Sequence, residues 1–266
     1  MSGPAPAVLH TGHAATPAML HVDHVSVTYK TRRGAIDAVS DVTLTIADGE
    51  FVTILGPSGC GKSTLLKLAA GLLQPSRGHL DVAGQRISGP SRDIGVAFQK
   101  PTLLPWRTVL DNVLLPSETV GLITPEAIER ARALLKVVGL ADFADNYPNE
   151  LSGGMQQRVG LARMLQRDPK LLLMDEPFAA LDAMTREALT LELQRIWMRD
   201  RKSVLFITHS IPEAVLLSDR VLVMSARPGR VVEDFAVDLP RPRTLETLTE
   251  PAFVAATQHL RRHFIS

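Results

Sequence analysis

The chain has 266 residues, of which 45% are hydrophobic and 21% charged, with a formal net charge of +1. That length holds one large domain or a domain carrying a subdomain, and the near-neutral balance gives no footprint for a nucleic-acid partner or an anionic membrane surface. Cys60 is the only cysteine, which excludes an intrachain disulfide and suits a reducing compartment, and no apolar run reaches the about 18 residues needed to cross a bilayer.

Residues 1–19, rich in Ala, Pro, His and Thr, lack the basic start and apolar segment of a secretory signal and read as a mobile tail. Leu20, Val22, Val25, Val27 and Tyr29 approximate strand alternation, and Val42, Leu44 and Ile46 repeat it before the Asp48-Gly49 turn. An apolar strand, Phe51 to Leu55, then runs into Gly56-Pro57-Ser58-Gly59-Cys60-Gly61-Lys62-Ser63-Thr64 and on into the helix-like Leu65 to Ala70. Strand, Gly-rich loop and helix are the context a phosphate-binding loop requires. The glycines let successive backbone N–H groups turn inward, the helix offers its positive N-terminal end, and Lys62 supplies a point charge for β- and γ-phosphates. Ser63 is placed to ligate Mg²⁺, so the chain is expected to bind a nucleoside triphosphate.

His79 to Val82 and Ile94 to Phe98 read as further strands, the second ending at Gln99, and this order predicts an α/β fold. From about Pro101 to Pro169, helical spacing over Glu126 to Val138 and Met155 to Leu165 predicts a helical insertion. Leu171 to Met174 returns to a strand, followed by a helix through Thr185 to Arg199 and a strand from Val204 to Thr208. Final strands are expected at Val221 to Met224 and Val231-Val232, then an amphipathic helix over Leu245 to Phe264.

The strand at Leu171 delivers two adjacent carboxylates, Asp175 and Glu176, at its C-terminal end, where ligands sit in an α/β sheet. Asp175 is the metal candidate and Glu176 the base for water attacking a γ-phosphate. Standing alone, the pair would read as a strand end capping a turn. Upstream, Leu151-Ser152-Gly153-Gly154-Met155-Gln156-Gln157-Arg158 sets Ser-Gly-Gly ahead of a helix, which gives amides and a dipole for an anion. On chemistry alone, a capped helix start is the commoner explanation of the same residues.

Taken together and in this order, these segments closely resemble the ATP-binding cassette family over roughly Leu20 to Leu239. The resemblance implies a P-loop NTPase cassette of α/β class with a RecA-like parallel-sheet core, an antiparallel β subdomain and an inserted α-helical subdomain at about 101–168. The ATPase domain would span 20–240 and a C-terminal helical extension 241–266. By resemblance, ATP is contacted by Tyr29, stacked on adenine, and by Gly56, Pro57, Ser58, Gly59, Cys60, Gly61, Lys62, Ser63 and Thr64. Ser152, Gly153, Gly154 and Gln156 complete the site of a second subunit, and Asp182, in the loop Ala180-Leu181-Asp182, crosses to it. Mg²⁺ falls to Ser63, Gln99 and Asp175, and catalysis to Glu176, His209, Gln99 and Lys62. Met155 departs from the glutamine common in the family and leaves Ser152 to Gly154 intact.

One phosphate loop and one signature per chain imply, within this family, a homodimer coupled to integral-membrane permease subunits. A periplasmic or surface substrate-binding protein is implied indirectly, and the chain is placed at the cytoplasmic face of the inner membrane. Phe98 to Trp106 and Thr108 to Val113 resemble the importer branch for nitrate, taurine and aliphatic sulfonates. The expectation is therefore an ATP-hydrolysing importer subunit for a solute of that type, with a pyrimidine or thiamine-precursor importer or a non-transport cassette ATPase as alternatives. Trp106 is a candidate permease contact or a core or rim aromatic. No fused regulator is expected after the last strand. Because Cys60 lies in the phosphate loop, a bulky thiol reagent is expected to inhibit turnover.

Overall fold

The computed structural model describes residues 18–31, 34–179 and 181–264. Most of the expected tail, positions 1–17, lies outside the described residues, as does Ala180. The chain opens with β1 (Ala18–Thr31), β2 (Gly34–Ala47) and β3 (Phe51–Leu55), followed by α1 (Lys62–Ala69), β4 (Arg77–Val82), β5 (Gln85–Arg86) and β6 (Ile94–Ala97). Three helices intervene, α2 (Val109–Glu118), α3 (Pro125–Val137) and α4 (Gly153–Leu165). The remainder runs β7 (Leu171–Asp175), α5 (Ala183–Asp200), β8 (Ser203–Thr208), α6 (Ile211–Leu217), β9 (Arg220–Met224), β10 (Val231–Ala236) and α7 (Pro251–Arg261).

These strands form two sheets, one of four strands in the order β2-β1-β4-β5 and one of six in the order β10-β9-β3-β8-β7-β6. In the larger sheet β9, β3, β8, β7 and β6 are parallel neighbours, and β10 joins β9 antiparallel. Every residue of β3 and β8 is buried, as expected of strands covered on both faces. β10 alternates between half-buried and exposed, which suits an edge. The smaller sheet is antiparallel throughout and buries one face, where Leu20, Val22, Leu44, Ile46, Leu80 and Val82 point inward.

α1 lies between the two sheets, its Leu65, Leu66 and Leu68 fully buried against residues of both. Each such leucine contributes about 1.5–3 kcal/mol by burial. The opposite face of the large sheet packs Phe51, Phe178, Phe206 and Trp197 into one aromatic cluster, with ring centroids 5.8–6.0 Å apart. That core continues into α2, α3 and α4 through Val113, Ala131, Leu135 and Val159. The helical excursion is thus fused to the sheet by a single apolar core rather than tethered by loops.

The elements the sequence pattern did not announce are β5, α2 and α6. β5 has only two residues, α2 carries Pro116 inside its span, and α6 has seven residues starting Ile211-Pro212. α2 persists because Thr108 caps it through Asp111 N at 3.1 Å and because Val109 and Val113 are fully buried. The C-terminal helix is shorter than the periodicity predicts, since a 3₁₀ turn at Glu246–Thr249 precedes it. Arg243, 2% exposed, ties this region to α6 by donating to Val215 O at 2.6 Å and Ser218 O at 2.8 Å. Burial pushes its pKa down to about 10, which leaves the guanidinium charged and able to cap the C-terminal carbonyls of α6.

Candidate functional site

The loop from Gly56 to Gly61 connects the C-terminal end of β3 to α1, whose first turn carries Lys62, Ser63 and Thr64. Gly59 (φ +77°) and Gly61 (φ +104°) adopt left-handed backbone conformations that an L side chain resists. A Cβ on Gly61 would stand 2.6 Å from Ala38 O, and one on Gly56 would stand 2.7 Å from Cys60 Sγ. The loop is therefore pressed onto β2 at one end and onto its own cysteine at the other. Gly61 offers no side-chain cap to α1, so the first N–H groups of that helix face the loop without a side-chain partner. This is the arrangement that binds an anion at a helix N-terminus.

Lys62 is buried, and its Nζ donates to Gly56 O at 2.7 Å and Pro57 O at 3.0 Å, which holds the ammonium inside the loop. Pro57, Ser58 and Gly59 form the exposed rim. Cys60 is 1% exposed, with Sγ turned beneath Gly56. With the thiol buried, the expected attack by a bulky thiol reagent requires the loop to open first. Tyr29, at 39% exposure, stands beside the start of α1 with its hydroxyl 3.4 Å from Thr64 Oγ1.

Across from the loop, Ser63 Oγ donates to Asp175 Oδ1 at 3.1 Å. The Asp175 carboxyl is pushed above the usual carboxylate range, chiefly by burial and further by the neighbouring Glu176 charge, while the Ser63 hydrogen bond opposes the shift. Glu176 follows in a left-handed conformation at φ +45°, with its amide donating to Ile207 O at 2.9 Å. That conformation is uncommon for a residue with a side chain and is held here by the sheet end. It breaks the strand alternation and brings Glu176 Oε2 to 3.2 Å from His209 Nδ1. His209 is exposed just past β8. Its loop is anchored by Thr208 Oγ1, which donates to the buried Glu213 at 2.6 Å and accepts from Ser210 N at 3.0 Å.

The signature segment makes its hydrogen bonds at its own helix start. Ser152 caps α4 by accepting from Met155 N at 3.3 Å, with Ser152 and Gly153 exposed and Gly154 half-buried. Gln156 directs its amide to Pro148 O at 2.9 Å and Leu151 O at 3.3 Å, which fixes the turn leading into the helix. Asp182, exposed, caps α5 through Thr185 N at 3.0 Å, and that backbone bond lowers its carboxyl pKa. Gln99, also exposed, follows β6.

Sequence reasoning missed the residues that join these parts. Gln157 Nε2 donates to Gln99 O at 2.6 Å, and Arg163 binds the next turn through Thr102 O at 3.0 Å and through Pro101 O. Helix α4 thereby carries both the signature and the Gln99 segment. Arg186, on α5, donates to Leu181 O at 3.0 Å and lies 3.7 Å from Glu213, bringing the Asp182 and His209 loops together. Arg227 braces the phosphate loop with bonds to Gly59 O at 3.1 and 3.2 Å. None of these carries a local motif; each acts across a separation that only the fold closes.

Burial of the Asp175 charge has a measurable sign. A raised folded pKa means the ionised form destabilises the nucleotide-free protein above the unfolded pKa, and this penalty vanishes once acid protonates the group in both states. Asp175→Asn should therefore unfold at an equal or higher temperature than the parent at pH 7, with the gain shrinking as pH falls towards 4. A clear loss of Tm at pH 7 would contradict the assigned environment.

With this geometry in view, comparison with known proteins is direct. The ABC transporter family profile matches residues 39–179. An uncharacterized ABC transporter ATP-binding protein of Methanocaldococcus jannaschii, MJ0412, is 50% identical over 224 residues, covering 84% of each chain. The taurine import ATP-binding protein TauB of Rhizobium johnstonii is 51% identical over 224 residues, covering 84% of this chain and 86% of that one. Among solved structures, the dimeric bacterial ABC transporter cassette MJ0796 superposes with a TM-score of 0.75 at 35% identity, over 84% of this chain and 100% of that one. The same cassette has been solved as a dimer in a post-hydrolysis state bound to ADP and Pi. The chain belongs to the ABC transporter family and is one of its ATP-hydrolysing nucleotide-binding proteins.

Proposed function

We propose that this protein energises import of a small sulfonate of the taurine type, working as a homodimer against separate membrane-spanning permease subunits. The observation that carries the hydrolytic part is the end of β7. There the left-handed backbone at Glu176 sets its carboxylate against His209 at 3.2 Å, one residue from the Ser63–Asp175 contact. In this reading Glu176 accepts the proton of the attacking water and His209 orients that water and the γ-phosphate. Lys62 and the loop amides from Gly56 to Thr64 hold the phosphates, and Tyr29 stacks on the adenine.

The residues also fit Mg²⁺. Ser63 Oγ and Asp175 Oδ1 are hard oxygen donors 3.1 Å apart, and the carboxylate charge is disfavoured by burial until a cation offsets it. Ser63 and Asp175 would hold the ion with Gln99 beside them, and the ion would supply charge neutralisation on the β- and γ-phosphates.

Ser152 and Gly153 are exposed and the hydrogen bonds of Ser152 and Gln156 stay within their own turn, which supports a composite site, with each signature serving the partner's nucleotide and Asp182 lying on the crossing loop. The MJ0796 cassette, 35% identical, is dimeric, which supports pairing of two such chains. Because α4 binds Gln99 and Thr102 directly, movement of the signature helix on closure would shift the neighbouring surface. Trp106, 71% exposed on that surface, is the proposed permease contact. No described helix is long and apolar enough to cross a membrane. Attachment to the cytoplasmic face of the inner membrane would thus run through the permease, and a substrate-binding protein would deliver the solute from the other side. The 51% identity to a taurine import protein supports the substrate class.

Glu176→Gln should keep ATP affinity within a few-fold of the parent while lowering turnover by about 10²–10⁴-fold. Unchanged turnover would remove Glu176 from its role. For the substrate, a strain lacking this chain should fail to grow with taurine as sole sulfur source and recover when the chain is restored; undiminished growth would reject taurine.

A further inference from the structure

The outer face of the antiparallel sheet carries a second cluster of chemistry-bearing side chains, unconnected with the nucleotide. In the β1–β4 register His21 stands opposite Asp81 and Asp23 opposite His79, while the intervening Val22 and Leu80 are buried. Strand alternation puts all four polar side chains on one face. A donor atom from each of His21, His79 and Asp81 lies within 4.8 Å of the other two.

We infer that His21, His79 and Asp81 form a binding site for a divalent transition-metal ion of the Zn²⁺ or Co²⁺ class. Three features carry this. Both histidines converge on the same carboxylate oxygen, with Asp81 Oδ2 3.3 Å from His79 Nε2 and 3.7 Å from His21 Nδ1. These separations exceed the about 2.7–2.9 Å of a charge-assisted hydrogen bond. The His79 separation matches the about 3.3–3.4 Å between donors of a tetrahedral ion bound at 2.0–2.1 Å, and a small rotation of the His21 ring closes the longer one. The other Asp81 oxygen is engaged by Arg86 Nε at 3.3 Å, which orients Oδ2 inward. Finally, Asp23 Oδ2 lies 3.4 Å from His79 Nδ1, on the side of the ring away from Asp81, where a carboxylate supports a ligating histidine once it closes to hydrogen-bond distance.

Two imidazoles and one carboxylate select a borderline ion over Mg²⁺ or Ca²⁺, and the part-exposed face leaves a fourth position to water. By contrast, His259 and His263 already close on Glu233 at 2.6 and 2.5 Å, which leaves no space for an ion among them. A bound ion at His21, His79 and Asp81 would staple β1 to β4.

The test uses the full-length, chelator-treated protein without nucleotide, titrated with CoCl₂ while the visible spectrum is recorded, and then with ZnCl₂. One Co²⁺ per chain should give the intense bands of tetrahedral coordination, displaced by one equivalent of Zn²⁺. His79→Gln and Asp81→Asn should each abolish the bands, and Asp23→Asn should weaken binding by about 10–100-fold. Far-ultraviolet circular dichroism and Mg²⁺-dependent ATPase activity without cobalt should be unchanged in all three variants. The bands should survive in His259→Gln and in His10→Gln/His13→Gln. Absence of saturable binding by the parent, bands that persist in His79→Gln and Asp81→Asn, or bands lost only in the control variants would overturn the assignment.

Discussion

The site depends on one close approach: the left-handed backbone of Gly61 against the carbonyl of Ala38 on β2. A side chain at that position would both strain the backbone and collide with β2, so the loop reaches its place only because Gly61 has no Cβ. That contact sets where α1 begins, and α1 in turn delivers Lys62 into the loop and Ser63 towards Asp175. Leu65, Leu66 and Leu68 lock the helix between the two sheets, so the small antiparallel sheet is a wall of the phosphate site as well as the carrier of Tyr29.

In the proposed mechanism the parallel sheet supplies the second half of the chemistry by ending three strands at one edge. β3 ends in the phosphate loop, β7 in Asp175 and Glu176, and β8 just before His209, which is the edge where α/β sheets bind ligands. Register fixes the sideways spacing, with Leu55 beside Thr208 and Asp175 beside Ile207. The left-handed turn at Glu176 then swings its carboxylate to His209 instead of continuing the strand. A half-buried Asp175 carboxylate and a left-handed Glu176 lower local stability at the proposed site, and the aromatic packing of Phe178 on Phe206 lies in the core beneath them.

Much of this is legible in the residues because the decisive segments are short and continuous. β3 and β7 are buried apolar runs that end in glycines or carboxylates, the Gly-rich loop is a continuous motif, and no tertiary contact is needed to read them. α2 hides behind Pro116, and α6 is too short to show a period. The burial of Cys60 follows from its contact with Gly56, which no spacing reveals. The links from Gln157 to Gln99, from Arg186 to Leu181 and Glu213, and from Arg227 to Gly59 join segments far apart in sequence. The His21, His79 and Asp81 cluster is likewise a product of cross-strand register rather than of any linear motif.

The central functional claim is that each nucleotide site is shared between two chains, with the phosphate loop of one facing Ser152 of the other. Mixing a Lys62→Ala protein with a Ser152→Arg protein tests it most directly, because only a heterodimer then contains one site with both halves intact. Mg²⁺-dependent ATPase activity of the mixture well above the sum of the two separate variants is the predicted result. Activity no greater than that sum, with heterodimers demonstrated by differential tagging, would contradict the shared site.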